Sequence, residues 1–356
     1  MKVVLRVDAS EKIGTGHFMR CLTLADTLLK RGAQCVFLSR DVPAHLQHLV
    51  QRQGHTLRHL PVHEACTCVG DLAHSSWLGT DQVSDAADCL AALQGQLHDW
   101  LIVDHYALDH RWETQLRQVA GRILVIDDLA DRRHDCDLLL DQNLYQDMQT
   151  RYNGKVPQAC GLLLGPKFAL LREEFRLLRE ELPVKQGDIR RVLVFFGGVD
   201  EHDFTSQALE AIVSLGRVDL EVYVVLGAQH PRRSAIESLC KCCGYHFYVQ
   251  TSRMAELMSE CDFAVGATGT ATWERASLGL PALVVSVAEN QRKIAEGAHD
   301  AGLLTWIGNA DSVSKDLWCK HIEFAFNSPE IIMMQRKACL ESVDAEGVRR
   351  VLEAML

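Results

Sequence analysis

Short, strongly apolar runs alternate with segments of helical period along almost the whole chain, and few architectures accept that alternation. Strands apolar on both faces need cover on both faces. The helices between them supply it, so the pattern predicts a mostly parallel sheet wrapped by helices. In the first half the candidate strands are Val3–Val7, Cys35–Leu38, Trp100–Val103, Ile123–Ile126, Leu138–Leu140 and Leu162–Leu164. After the first of them, Cys21, Leu22, Ala25, Leu28 and Leu29 recur at the period of an amphipathic helix that ends near Arg31-Gly32.

A charged stretch from Lys167 to Glu181 then leads into Pro183-Val-Lys-Gln-Gly187-Asp188, a polar segment with Pro and Gly that marks a linker. The alternation restarts at Val192–Phe196 and continues through Val222–Leu226, Phe247–Val249, Phe263–Val265 and Leu283–Val287. A chain of 356 residues exceeds what one core normally holds. The expectation is therefore an α/β protein of two Rossmann-like, doubly wound domains, residues 1–182 and 183–356, with the last helix a candidate to pack back on the first domain.

The net charge of −10, with no basic block, argues against a nucleic acid or an anionic membrane surface as partner. No apolar run approaches membrane-spanning length, so no membrane insertion is expected. The opening residues read as a strand, not a leader, and 13 irregularly spaced cysteines fit reduced thiols in a cytoplasmic protein. Cys240-Lys-Cys-Cys243 contains a C-x-x-C without the second pair a zinc site needs. Neither a metal nor a cofactor is expected.

In open α/β sheets ligands bind beyond the carboxyl ends of the strands, so the turns there are the places to look for chemistry. The first is Gly14-Thr-Gly16-His17, opening the first helix. Met19 stands where a dinucleotide fingerprint needs its third glycine, and the chain has no G-x-x-x-x-G-K-[ST]. His17 lies in the first helical turn, where the helix dipole disfavours an imidazolium and leaves a neutral base. Asp8, ending the preceding strand, is the candidate to orient its ring. Two further turns, Gly197-Gly198 and Gly266-Ala-Thr-Gly269-Thr270, follow strands of the second domain and suit a diphosphate. Glu274, one turn beyond, is placed to accept from a ribose diol, and Asn290-Gln291 form a polar pair past another strand end. Asp104-His105-Tyr106 and Asp127-Asp128 also end strands. Asp135-Cys-Asp137 matches a D-x-D metal pattern but precedes its strand. His134, His202 and His230 read as surface loop residues.

Arg6, Asp8, Ser10, Ile13, Gly14, Gly16, His17 and Arg20 together resemble the opening motif of the PseG family, UDP-sugar hydrolases of pseudaminic acid biosynthesis. The likeness continues through Val103-Asp-His-Tyr106, Ile126-Asp-Asp128, His134-Asp-Cys-Asp137, Leu138–Asn143, Leu164-Gly-Pro, Leu171-Arg172-Glu-Glu-Phe175, Gly197-Gly198, Thr272-Trp-Glu274 and Glu289-Asn-Gln291. The later glycine turns are shared with MurG-like glycosyltransferases. The resemblance implies a GT-B architecture, with the two domains facing across a cleft, and the substrate UDP-2,4-diacetamido-2,4,6-trideoxy-β-L-altropyranose. Water would attack the anomeric carbon with inversion and without a metal, His17 acting as the base and Tyr106 as the active-site tyrosine. Arg172 enters the nucleotide-binding set by the same likeness. Asp203 stands where relatives tend to carry an amide or hydroxyl; either it caps its helix or the diphosphate contact differs here. A GT-B glycosyltransferase, a hydrolysing 2-epimerase and a non-catalytic nucleotide-sugar binder are the competing expectations. The sugar pocket would be shaped by loops at residues 62–80 and 141–160.

Overall fold

The computed structural model describes residues 1–10, 12–63, 70–228 and 230–356, which form two compact units. The first unit holds seven strands: β1 (Lys2–Val7), β2 (Gln34–Ser39), β3 (Thr56–His59), β4 (His98–Asp104), β5 (Ala120–Ile126), β6 (Leu138–Asp141) and β7 (Gly161–Leu164). They pair in parallel in the order β3-β2-β1-β4-β5-β6-β7. The second unit holds β8 (Arg191–Phe195), β9 (Glu221–Leu226), β10 (His246–Val249), β11 (Phe263–Ala267), β12 (Ala282–Ser286) and β13 (Thr305–Asn309), also parallel, in the order β10-β9-β8-β11-β12-β13. Both are Rossmann orders, in which the chain reverses direction across the sheet beside the first strand. The switch points therefore fall between β1 and β4 and between β8 and β11. They bring the turns after those strands together within each unit.

Apolar residues cover both faces of the first sheet. Leu5, Val7, Phe18, Leu22 and Ile102 pack on one side, and Leu101, Val103, Trp112 and Ile123 on the other. The helix Gly16–Lys30 ends as its sequence indicates, with Gly32 in the left-handed region at φ +81°. Leu29, assigned to its buried stripe, is exposed. β3 and β13 were not foreseen. Both are edge strands with half-exposed polar residues, which leave no continuous apolar run.

The units divide the chain differently from the expected break at 182/183. Residues 171–182 belong to the second unit, where Phe175 is fully buried and Arg179 donates to the carbonyl oxygens of Ser277 and Leu340. The last helix, Gly347–Met355, belongs to the first unit. Val351, Leu352 and Met355 enter its core, and Trp100 donates its indole N–H to the Met355 carbonyl at 3.2 Å. A Cβ on Gly347 would stand 2.2 Å from the Ala169 carbonyl oxygen, so only glycine permits that approach. Among the described residues no helix is long and apolar enough to cross a membrane.

Candidate active site

At the switch point of the first sheet, β1 delivers Asp8 and the turn to His17, and β4 delivers Asp104, His105 and Tyr106. Asp8 does not reach His17. It accepts from the Arg40 backbone N–H at 2.7 Å, pairs with Arg6 at 2.8 Å and lies 3.2 Å from His105 Nε2. Arg6, itself fully buried, also clasps Asp85 through two bonds of 3.1 and 2.8 Å. Burial alone would raise the Asp8 carboxyl; Arg6 and His105 overcome it and hold the group well below the usual carboxylate range. Asp8 is thus a tie between the ends of β1, β2 and β4, and its expected part in orienting His17 is corrected.

The carboxylate that meets the His17 ring is Asp104. Its Oδ1 lies 2.7 Å from His17 Nδ1, while Arg20, one turn further along the same helix, grips it through Nε at 2.6 Å and Nη2 at 2.7 Å. Burial opposes ionisation of Asp104, but Arg20 and His17 hold it well below the carboxylate range. An ionised Asp104 can only accept, so His17 donates a proton from Nδ1, and in the neutral tautomer this leaves the lone pair on Nε2. Arg20 Nη2 also stands 3.1 Å from Nδ1, but two donors make no bond, and the shorter contact decides the tautomer.

Arg20 extends the network to β5. It donates to Asp128, which also accepts from Asn143 Nδ2 at 2.6 Å and from the Tyr106 hydroxyl at 2.5 Å. Burial and the Asp128 charge push the Tyr106 hydroxyl well up, so it stays protonated. The sequence led us to expect a hydrogen bond from Tyr106 to the reacting sugar; with that proton committed to Asp128, the expectation is corrected. Its ring stands edge-on to His17, with centroids 4.6 Å apart, and braces the imidazole. Gly14, at φ +78°, closes the turn through its N–H to the Ser10 carbonyl, and Gly16 begins the helix.

The network makes a pH prediction. Asp8, Asp104 and Asp127 are all held below their unfolded values, so their stabilisation is present above about pH 4 and lost as pH falls. Asp141 acts the other way. Burial and the neighbouring Asp128 push it up to about 8, so between about pH 4 and 8 its contribution falls as pH rises. The thermal midpoint should rise steeply up to about pH 4, then decline more gently toward pH 8; a midpoint flat from about pH 2 to 4 would refute the first part.

In the second unit the turn at Gly197-Gly198 is open, with no atom within 4 Å of a Cβ built on either glycine. The helix that follows, Phe204–Ser214, is already served. Asp200 accepts from the Phe204 and Thr205 N–H groups at 3.0 and 2.7 Å, so those amides are not available to a phosphate. Asp203, at φ +52°, accepts from Ser206 and pairs with Arg232 at 2.5 Å, which neutralises it. His230 completes a cluster with these two carboxylates. Its Nδ1 accepts from the Arg232 N–H, leaving the Nε2 proton directed at Asp200.

The turn after β11 differs. Among the described residues, none accepts from the N–H groups of Gly269, Thr270 or Ala271. Gln291 Oε1 accepts from Thr268 Oγ1 at 3.3 Å and from the Val287 N–H at 3.1 Å, tying two strand-end turns together. Its Nε2 lies 3.8 Å from where a Gly269 Cβ would stand. Asn290 is half-buried in the first turn of the helix Glu289–Asp300. In the helix Ala271–Ser277, Trp273 is fully buried while Glu274 turns outward to Arg172, 3.5 Å away. Burial raises the Glu274 carboxyl, and Arg172 opposes it.

The remaining candidates are structural. Asp135 and Asp137 clamp Arg117, and Asp137 also accepts from the Ile123 N–H. His134 and His230, expected on the surface, are buried against Glu113 and Asp200; His202 is exposed. Cys240 and Cys243 are free thiols on one helix. The orienting set of Asp104, Arg20 and Asp128 was not foreseen. The signal was present: His17 and Arg20 are spaced three apart on one helix face, opposite carboxylates at two strand ends.

No protein-family model matches the chain. It is 23% identical over 300 residues, 82% of its length, to the uncharacterized protein MJ1062 of Methanocaldococcus jannaschii, of which it spans 57%. It spans 56% of the Bacillus subtilis spore coat polysaccharide biosynthesis protein SpsG, at 28% identity over 189 residues. The chain thus covers little more than half the length of both. Over 262 residues it is 25% identical to the UDP-2,4-diacetamido-2,4,6-trideoxy-β-L-altropyranose hydrolase of Campylobacter jejuni, covering 73% of this chain and 82% of that protein. In structure it resembles Acinetobacter baumannii MurG, with a TM-score of 0.68 at 12% identity, covering 99% and 98% of the two chains. That likeness shows the GT-B fold.

Proposed function

We propose that this chain, a homologue of the PseG-type hydrolases built on the GT-B fold of MurG, cleaves a UDP-linked diacetamido-trideoxy sugar into UDP and the free sugar. The observation that carries the reading is the 2.7 Å contact between His17 Nδ1 and Asp104, which leaves Nε2 as a base. Nε2 takes a proton from water while the water oxygen bonds to C1. The bond from C1 to the β-phosphate oxygen breaks, and its electron pair leaves on UDP with inversion at C1. UDP is a stabilised anion, so the step does not need the carboxylic acid that an ordinary glycosidase uses on a poor leaving group. Asp104 stabilises the imidazolium as it forms, and that proton then passes to solvent.

The nucleotide contacts belong to the second unit. The free amides at Gly269-Thr270 and Gln291 Nε2 would meet the diphosphate, with Gly197-Gly198 and Asn290 beside them. Glu274, whose carboxyl burial raises while Arg172 opposes, would accept from the ribose diol.

Turnover in 18O-water, with chelator in excess, tests the reading. Label is expected on the sugar C1, with one UDP released per sugar and no acceptor required. Label on phosphate would overturn attack at carbon. Dependence on an acceptor would indicate a glycosyltransferase, and an inverted C2 in the product a hydrolysing epimerase.

A further inference from the structure

We propose that Trp77 is the residue that selects the sugar. On this assignment it forms an apolar wall beside His17 that favours a deoxygenated, N-acylated ring over one bearing a C6 hydroxyl. The inference rests on the hydrolase reading and adds to it the side chain that recognises the sugar.

Trp77 sits in a one-turn helix, Ser75–Trp77, that is fixed from below. Leu78 is buried in the apolar cluster on one face of the first sheet, and Ser75 Oγ bonds to the Leu72 backbone. Gly79, at φ +71°, turns the chain back toward the helix Gln82–Leu93. The indole is then stacked on Tyr106, with centroids 5.5 Å apart at 25°, and stands edge-on to His17 at 6.4 Å. His74 closes the group, 4.5 Å from Trp77 and 5.3 Å from Tyr106. Tyr106 is buried and His17 nearly so, while Trp77 remains half-buried and is the more accessible ring of the stacked pair. Burial lowers the His74 imidazole, which disfavours a positive charge on that ring.

Distance then constrains the substrate. A water activated by Nε2 lies about 3 Å from it, and the carbon it attacks about 3 Å further. The indole centre is 6.4 Å from the imidazole, the same length scale, so a sugar ring that extends from C1 toward Trp77 would pack against it. Ring C–H groups and methyl substituents gain burial against an aromatic surface. A hydroxyl pressed there loses its water without recovering a hydrogen bond.

The test compares wild type with Trp77→Ala and Trp77→Phe. Three quantities are measured: kcat and KM for the UDP-diacetamido-trideoxy sugar, the inhibition constant of UDP-N-acetylglucosamine, and that of UDP. Trp77→Ala is expected to lower kcat/KM at least tenfold, mostly through KM. Inhibition by UDP should change less than twofold, and the preference for the deoxygenated sugar should narrow by about the same tenfold. Trp77→Phe should recover most of the loss, which separates lost recognition from a damaged fold. An unchanged preference in Trp77→Ala, with wild type active, overturns this assignment alone. A wild type that releases UDP from neither sugar overturns the hydrolase reading and this assignment with it.

Discussion

Replacing His17 by asparagine should lower kcat by about 10²–10⁴ while leaving the affinity for UDP within a factor of two. The side chain supplies the one lone pair that the tautomer argument leaves free, and asparagine cannot take up a proton at neutral pH. UDP binding is proposed to rest on residues of the other unit, so it should survive the substitution. Steady-state kinetics together with UDP titration read both quantities. Near-normal turnover in this variant would remove His17 as the base.

Asp104→Asn should lower kcat almost as far, by roughly the 10⁴ that reversal of an orienting partner produces in Asp–His pairs, with little change in KM. The carboxylate does two things at once: it accepts from His17 Nδ1, and it neutralises Arg20 through two further bonds. An amide turned to satisfy Arg20 directs its NH2 elsewhere or at Nδ1. If it meets Nδ1, the imidazole proton moves to Nε2 and the base is lost. The buried guanidinium would keep only Asp128 as a charged partner, so a fall in stability of about 3–5 kcal/mol is also expected. Chemical denaturation alongside kinetics separates the two effects. A variant destabilised yet fully active would show that Asp104 supports the fold and not the base.

Much of this architecture was legible in local pattern. The apolar runs of β1, β4, β5, β8, β11 and β12 are central strands buried on both faces, and a buried strand leaves a continuous signature. β3 and β13 escaped because an edge strand needs cover on one face only. The domain division was misplaced for a related reason. Glu173–Glu180 reads as a charged, solvated helix, and only the contacts of Phe175 and Arg179 assign it to the second unit.

At the site, strand–turn–helix order pointed to His17 and set Asp104-His105-Tyr106 at a strand end, because a parallel sheet gathers its strand ends along one edge; the choice of Tyr106 rested on the family resemblance. That order could not say which carboxylate serves which cation. Asp8 is nine residues from His17 in sequence and Asp104 is 87, yet Asp104 makes the contact, because β1 and β4 lie side by side at the switch point. The same crossing turns Asp8 toward Arg6 and His105, and the Tyr106 hydroxyl toward Asp128. The sequence by itself determined the two-sheet plan and the turn that carries the imidazole, since both follow from short-range periodicity and turn chemistry. The tertiary structure alone decided the tautomer of that imidazole and the partners of each buried charge, because ion pairs form between groups that the sheet order makes neighbours.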